Sequence, residues 1–331
     1  MRGGGLELFD VEDFGPAKDV EPERAHDLTV TAVSLSPEEG EGSAKPQPVR
    51  IAFLTATRFA DLYEDDLLAA AELRRRGHTV SPLIWTECTV EQMNAFDAVV
   101  MRTPWDWFNH RAQFRAFLER LRHVKSRVLN APAQLLEFAD KTYLPRLQAL
   151  GVNVVPTEQL APSELHRVPQ LLAARSWRRA VLKPAFTANA VGARLFDSSE
   201  AARVLSELGA PTDGEPWLLQ PFIPSIAEGE LSFIFFEGVF SHAVRKLPKQ
   251  TEWRVQSEYG GTSTPYAPSP REIDQATELL RRSAPGTTYG RVDAVNWEGK
   301  LHLMELELVE PELFFRHEPR AAARFADALG A

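Results

Sequence analysis

The chain has 331 residues, 44% of them hydrophobic, enough to build the cores of about two domains of ordinary size. Its formal charge is −9 at pH 7, which argues against a nucleic-acid coat or a polybasic membrane binder. The single cysteine, Cys88, excludes an internal disulfide; with no apolar run near the roughly 18 residues of a membrane span and no signal or transit signature, a cytoplasmic protein is expected.

Residues 1–48 carry eleven acids against four bases, five prolines and the run Gly3-Gly4-Gly5. That composition predicts an acidic, mostly flexible leader. Within it, Leu28, Val30 and Ala32 alternate with Thr29 and Thr31, predicting an edge strand over 28–35. The rest of the chain is nearly balanced, with 35 acids and 33 bases. Strands are predicted at 51–54, 79–85, 97–101 and 128–129, with helices at 61–77, 90–95 and 113–121. The first helix is expected to bury Leu67, Leu68, Ala71 and Leu73 and to stop at Gly77. Such alternation implies a parallel sheet with crossovers, a Rossmann-like unit over 49–139. Its first strand runs into Thr55-Ala56-Thr57-Arg58. With no G-x-G-x-x-G turn there, no dinucleotide is expected.

Beyond residue 139 the pattern becomes α+β. A helix is predicted at 141–150 and an extended segment at 152–156. Strands follow at 180–184, 195–196, 217–220, 231–236, 239–244, 291–297 and 301–309, with helices at 198–208, 271–282 and 320–329. The polar stretch 246–270 reads as a long loop of the kind that either carries function or is disordered.

Leu303-Met304-Glu305-Leu306-Glu307-Leu308 is the most informative segment. In a strand, Glu305 and Glu307 share one face, where two carboxylates repel each other and a divalent cation removes the conflict. Asp293 lies on the preceding strand, opposite Glu305 if the turn near Glu298-Gly299 has three residues. Three oxygen ligands suit Mg²⁺ in phosphate chemistry; the alternative is a solvated edge hairpin. Lys183 ends an apolar strand before Pro184, Lys141 follows Asp140, and the strand 217–220 runs into Pro221-Phe222-Ile223. Each taken alone reads equally well as an ordinary surface or core feature.

Together, these residues in this order resemble the ATP-grasp family over roughly residues 50–331. Thr251 to Gln256 followed by Gly260-Gly261 is similar to the loop of bacterial glutathione synthetases. Arg102-Thr103-Pro104-Trp105-Asp106-Trp107, Asn130-Ala131-Pro132, Asp140 to Leu144 and Glu305 to Pro311 look like the cyclo-ligases of cycloserine biosynthesis. The resemblance implies a pre-ATP-grasp domain (49–139) and two ATP-grasp subdomains (140–224 and 225–331). It implies Lys141 and Lys183 on the nucleotide phosphates, and Gln220, Phe222, Ile223 and Glu230 around the rest of ATP. Asp293, Glu305 and Glu307 would hold one or two Mg²⁺, with Mn²⁺ an alternative, and Arg254 would steady the transferring phosphoryl group. Arg245, Lys246, Arg291 and Trp105 are secondary candidates for substrate contact. Two departures stand out: the loop 185–192 has one glycine where the family's is glycine-rich, and Glu307 stands where many members have asparagine.

The implied reaction is carboxylate activation by ATP to an acyl phosphate, then amide formation with an amine, on a small amino-acid-like or peptide substrate, with intramolecular cyclisation one form of it. A phosphotransferase and a catalytically silent ATP-binding module are the competing readings, and the completeness of the ligand set counts against the second. The expected partners are ATP and a small carboxylate or amine, with neither nucleic acid nor membrane; the resemblance also allows a homo-oligomer. His242, in an apolar strand, reads as a core histidine, and Glu310 as either a solvated strand end or a substrate contact.

Overall fold

The computed structural model describes residues 47–208, 214–250 and 252–331. The predicted leader, but for its last two residues, and its strand at 28–35 lie outside them. The first unit alternates β1 (Arg50–Thr55), α1 (Glu64–Arg75), β2 (Thr79–Ile84), α2 (Val90–Met93), β3 (Ala98–Thr103), α3 (Arg111–Leu121) and β4 (Arg127–Leu129). Its strands form a parallel sheet in the order β2-β1-β3-β4, as the alternation predicts. Every residue of β3 is buried, because helices cover both faces of such a sheet. Ala52, Leu54, Val99 and Met101 pack on Phe114, Phe117 and Leu118. Ile51, Phe53 and Val100 face Ala70, Leu73 and, from the far end of the chain, Phe325.

Helix α1 buries Leu73 as predicted but otherwise presents a different face. Leu67 and Leu68 are exposed at 43% and 44%, while Asp65 and Asp66 are buried. Polar partners explain the rotation. Asp65 accepts the backbone N–H groups of Phe315 and Arg316, each at 2.9 Å. Asp66 takes two hydrogen bonds from the Arg102 guanidinium, at 3.0 and 2.7 Å.

The chain continues through α4 (Pro132–Glu137), α5 (Tyr143–Ala149), β5 (Glu158–Leu160), α6 (Val168–Arg175), β6 (Arg179–Pro184), β7 (Arg194–Asp197), α7 (Ala201–Glu207) and β8 (Trp217–Pro221). The strands make an antiparallel sheet, β5-β8-β6-β7. The last segment holds β9 (Glu230–Phe236), β10 (Val239–Leu247), β11 (Thr262–Tyr266), α8 (Pro270–Ser283), β12 (Tyr289–Trp297), β13 (Lys300–Glu307) and α9 (Ala321–Ala328). Its antiparallel sheet runs β11-β10-β9-β12-β13.

The structure corrects one expectation and adds detail at two other places. Residues 152–156 form no strand, only a parallel bridge from Val154 to Leu303. The stretch 246–270 is not all loop: β10 runs to Leu247, and β11 pairs with it. Helix α6, where no element was predicted, carries Pro169 in its first turn, a position a helix tolerates.

Candidate active site

The turn between β12 and β13 sets the register of the site. Glu298 and Gly299 both have positive φ, 53° and 77°, which makes a two-residue hairpin turn rather than the three-residue one assumed from sequence. Pairing then runs Trp297 with Lys300 through Ala294 with Leu303 and slips by one residue, so that Asp293 faces Glu305. Met304 is the extra residue, a β-bulge that restores the predicted pairing by another route. Glu305 and Glu307 lie on one face, two residues apart.

This face closes one side of a cavity of about 360 Å³. Lys183 of β6 and Gln220, Phe222 and Ile223 at the end of β8 line the other side; Lys141 and Glu230 reach the same space. Gln220 is fixed by a hydrogen bond from its amide to Thr157 Oγ1 at 2.9 Å, and Ile223 is buried. Phe222 carries the Arg179 guanidinium over its ring at 4.7 Å.

Each carboxylate of the predicted triplet has a cation against it. Arg291 grips Asp293 with two hydrogen bonds of 2.9 Å. Lys246 reaches Asp293 at 3.0 Å and also pairs with Glu230. Lys141 pairs with Glu305 at 2.5 Å, and Arg291 lies 3.6 Å from Glu307. Burial opposes the charge of Asp293, but Arg291 and Lys246 outweigh it and hold the carboxyl far below its usual range. Glu305 is likewise lowered, burial being outweighed by Lys141 and Lys183. Glu307 goes the other way: burial and the neighbouring Glu305 push it up to about 8. Burial lowers the Lys183 ammonium.

Among the described residues, no three carboxylate, histidine or cysteine groups converge as they stand into a metal cage. The donor set is nonetheless oxygen-only, with two carboxylates on one strand face and a third opposite, chemistry suited to a hard divalent cation. Arg291, Lys246 and Lys141 sit on the oxygens such an ion would share.

Arg254 lies at the cavity on the loop between β10 and β11. Its guanidinium pairs with Glu252 at 2.6 Å and stacks 3.5 Å from the centre of the Tyr259 ring. A Cβ on Gly261 would run into the Val255 carbonyl, so the glycine is needed for the loop to fold back on itself. Asn189, on the loop after β6, donates to Glu258 at 2.8 Å and ties the two loops together. Of the secondary candidates, Lys246, Arg291 and Trp105 line the cavity and Arg245 does not. Arg245 alternates with Lys246 along β10, so its side chain projects from the other face, over the Tyr266 ring at 4.5 Å. His242 is buried, with Nε2 on the Leu313 carbonyl at 3.0 Å, a core histidine as expected.

Two links were not foreseen from sequence, although Trp107 and Glu310 were themselves considered. The Tyr143 hydroxyl accepts the Leu306 N–H at 2.7 Å and donates to its carbonyl at 3.2 Å, fixing the residue between Glu305 and Glu307. Trp107 donates its indole N–H to Glu310 Oε1 at 2.6 Å, so Glu310 is a cavity group rather than a solvated strand end. Neither link is legible in a hydrophobic pattern, since both join residues more than 160 positions apart.

Comparison with known proteins matches this arrangement. Residues 51–130 fit the family model of the D-cycloserine synthetase DcsG N-terminal domain, and residues 150–295 that of the prokaryotic glutathione synthetase ATP-grasp domain. The cycloserine biosynthesis protein DcsG of Streptomyces lavendulae is 33% identical over 280 residues, covering 77% of this chain and 89% of the relative. A glutathione synthetase of Bradyrhizobium diazoefficiens is 25% identical over 226 residues, 67% of each chain. The crystal structure of D-cycloserine synthetase DcsG superposes with a TM-score of 0.76 at 29% identity, over 85% of this chain and 98% of that one. Among the described residues, no helix is long and apolar enough to cross a membrane. The chain therefore belongs to the ATP-grasp family, whose members use ATP with Mg²⁺, and is a carbon–nitrogen ligase related to DcsG and to glutathione synthetase.

Proposed function

We propose that this chain activates the carboxylate of a small amino-acid-like substrate with ATP and joins it to a nitrogen nucleophile, in an intramolecular ring closure. The observation that carries this reading is the opposed set around one cavity: Asp293, Glu305 and Glu307 on β12 and β13, with Lys141 and Lys183 across from them. The similarity to a D-cycloserine synthetase favours cyclisation over joining two molecules.

A carboxylate oxygen of the substrate attacks the γ-phosphorus, the bond to the β,γ-bridging oxygen breaks and ADP leaves. The nitrogen then adds to the acyl carbon, phosphate departs, and one proton is lost from nitrogen. Little covalent work falls to the protein, which positions groups and neutralises charge. Lys141 and Lys183 bind the phosphates. Gln220, Phe222 and Ile223 hold the base, and Glu230 helps to hold the remainder of the nucleotide. Asp293, Glu305 and Glu307 hold one or two Mg²⁺, which when bound screens the phosphate charges. Arg254 leaves Glu252 to stabilise the transferring phosphoryl group and the oxyanion. The three sheets support division at 49–139, 140–224 and 225–331.

The test is product analysis with MgATP and a panel of amino acids that carry a side-chain nitrogen. Ligation gives ADP, phosphate and a dehydrated product in equal amounts. A stable phosphorylated product would replace this reading with a kinase, and tight ATP binding without hydrolysis would leave a silent module.

A further inference from the structure

On the side of the cavity built by the first unit, one carboxylate differs from all its neighbours. Asp293, Glu305, Glu307 and Glu312 each have a lysine or arginine within 4 Å. Glu310 has none among the described residues. Its company is two neutral indoles: Trp107 donates to Oε1 at 2.6 Å, and Trp105 donates to the backbone carbonyl at 2.9 Å. A half-buried carboxylate held only by neutral donors is costly, and a cation beside it relieves that cost. The nearby arginine is already committed, since Arg316 pairs with Glu312 at 2.6 Å and Asp65 at 3.2 Å. One hydrogen bond uses a fraction of a carboxylate's acceptor capacity.

The walls around Glu310 are aromatic and fixed. Trp105 packs edge-on against Tyr63, ring centres 4.9 Å apart, and against Phe59 at 5.6 Å. Trp107 stacks on Phe114 at 5.2 Å and lies 4.6 Å from Phe186. The two indoles meet Glu310 through their N–H edges, on Oε1 and on the backbone carbonyl, which leaves Oε2 without a hydrogen bond among the described residues and able to accept from a cationic donor. Of the other cations at the cavity, Lys141 is near enough to act on Glu310 but is paired with Glu305 at 2.5 Å, and Arg254 and Arg291 belong to the part where phosphoryl transfer is proposed.

We infer that Glu310, framed by Tyr63, Trp105 and Trp107, anchors a primary ammonium group of the substrate while the substrate's carboxylate turns toward Arg254 and Arg291. The substrate is then an amino acid with a free amine that takes no part in the new bond. This rests on the ligase reading and narrows it, making Glu310 a residue that determines specificity.

The experiment measures MgATP-dependent ADP release with amino acids of both configurations, each paired with its N-acetyl form and with the hydroxy acid that replaces its amine. At least one free amine is expected to stimulate release, with kcat/KM higher than for either partner compound by roughly ten- to hundredfold, the worth of a charge-assisted hydrogen bond. Glu310→Gln should lower kcat/KM for that amine by a similar factor, chiefly through KM, narrow its advantage over the hydroxy acid, and bind MgADP as the parent does. Equal stimulation by amine and hydroxy acid, stimulation by no free amine, or an unchanged KM in Glu310→Gln overturns the proposal. Failure of the parent protein to bind MgADP overturns the ligase reading instead, so the two failures are distinct; the parent panel needs no variant to fold.

Discussion

Replacing Tyr143 by phenylalanine removes one oxygen atom and tests how the edge strand β13 is held. The ring is buried at 3% exposure and keeps its contact with Phe138, 4.9 Å between centres, when the hydroxyl is lost. Both hydrogen bonds of that hydroxyl go to Leu306, whose N–H and C=O point away from β12 and have no further strand to meet. A buried backbone group deprived of its partner costs about 1–3 kcal/mol, so the pair predicts a loss of about 2–6 kcal/mol in unfolding free energy. Urea unfolding measures it. The second readout is Mg²⁺-dependent ADP binding, followed by tryptophan fluorescence. Leu306 separates Glu305 from Glu307, so part of the cost falls on their spacing. If about 1.4 kcal/mol of it reaches the metal site, half-saturation needs about tenfold more Mg²⁺. A stability change below about 0.5 kcal/mol, or an unaltered Mg²⁺ requirement, refutes the role given to Tyr143.

Three other perturbations test neighbouring parts of the structure. Glu305→Gln is expected to abolish turnover while circular dichroism stays native; near-normal activity would remove Glu305 from the metal set. Asp293→Asn leaves Arg291 and Lys246 buried with less countercharge, and should cost about 3–5 kcal/mol in denaturant unfolding as well as activity; an unchanged midpoint would contradict the ion-pair geometry. His242 supplies a pH test. Burial lowers its pKa to about 4, so between about 6.5 and 4 the unfolded chain binds the proton that the folded one refuses. Stability is thus complete above pH 6.5 and falls as pH drops through this window, by up to about 3 kcal/mol. The fall should shrink in His242→Phe, and an identical pH profile there would assign the effect elsewhere.

The sequence made β1 and β3 legible because both of their faces are buried, so apolar runs mark them directly. The pairing of Asp293 with Glu305 was also readable, but by compensation: the turn is one residue shorter than assumed and the bulge at Met304 makes up the difference. A bulge leaves no trace in a period-two pattern. The face of α1 was misread because aspartates are ordinarily solvent-facing; Asp65 and Asp66 are buried since their partners, Phe315 and Arg102, arrive from distant positions. β11, Thr-Ser-Thr-Pro-Tyr, was missed for the opposite reason: an exposed edge strand has no apolar face to show. Lys246 and Arg291 were weighed as free substrate contacts because a sequence shows charges and not the pairs they make.

Those pairs bear on how a highly charged ligand enters a half-buried site. Glu230, Asp293, Glu305 and Glu307 are matched by Lys141, Lys183, Lys246 and Arg291, so the cluster is near neutrality by itself. Metal-bound nucleotide brings both signs together, and its arrival is an exchange of partners: lysines leave carboxylates for phosphates while carboxylates turn to the ion. An exchange avoids the large desolvation penalty of placing isolated charges in a cavity. It also gives Glu307 a distinct part. With its carboxyl pushed up to about 8, it is the member of the set that carries a proton at neutral pH, and it must lose that proton to become a ligand. The Mg²⁺ requirement for ADP binding should therefore relax as pH rises from 6.5 toward 8.5, and Glu307→Asn, which has no carboxyl to titrate, should flatten that dependence. A Mg²⁺ requirement that is level across this range in the parent protein would show that Glu307 is already ionised and that the exchange begins from a different charge state.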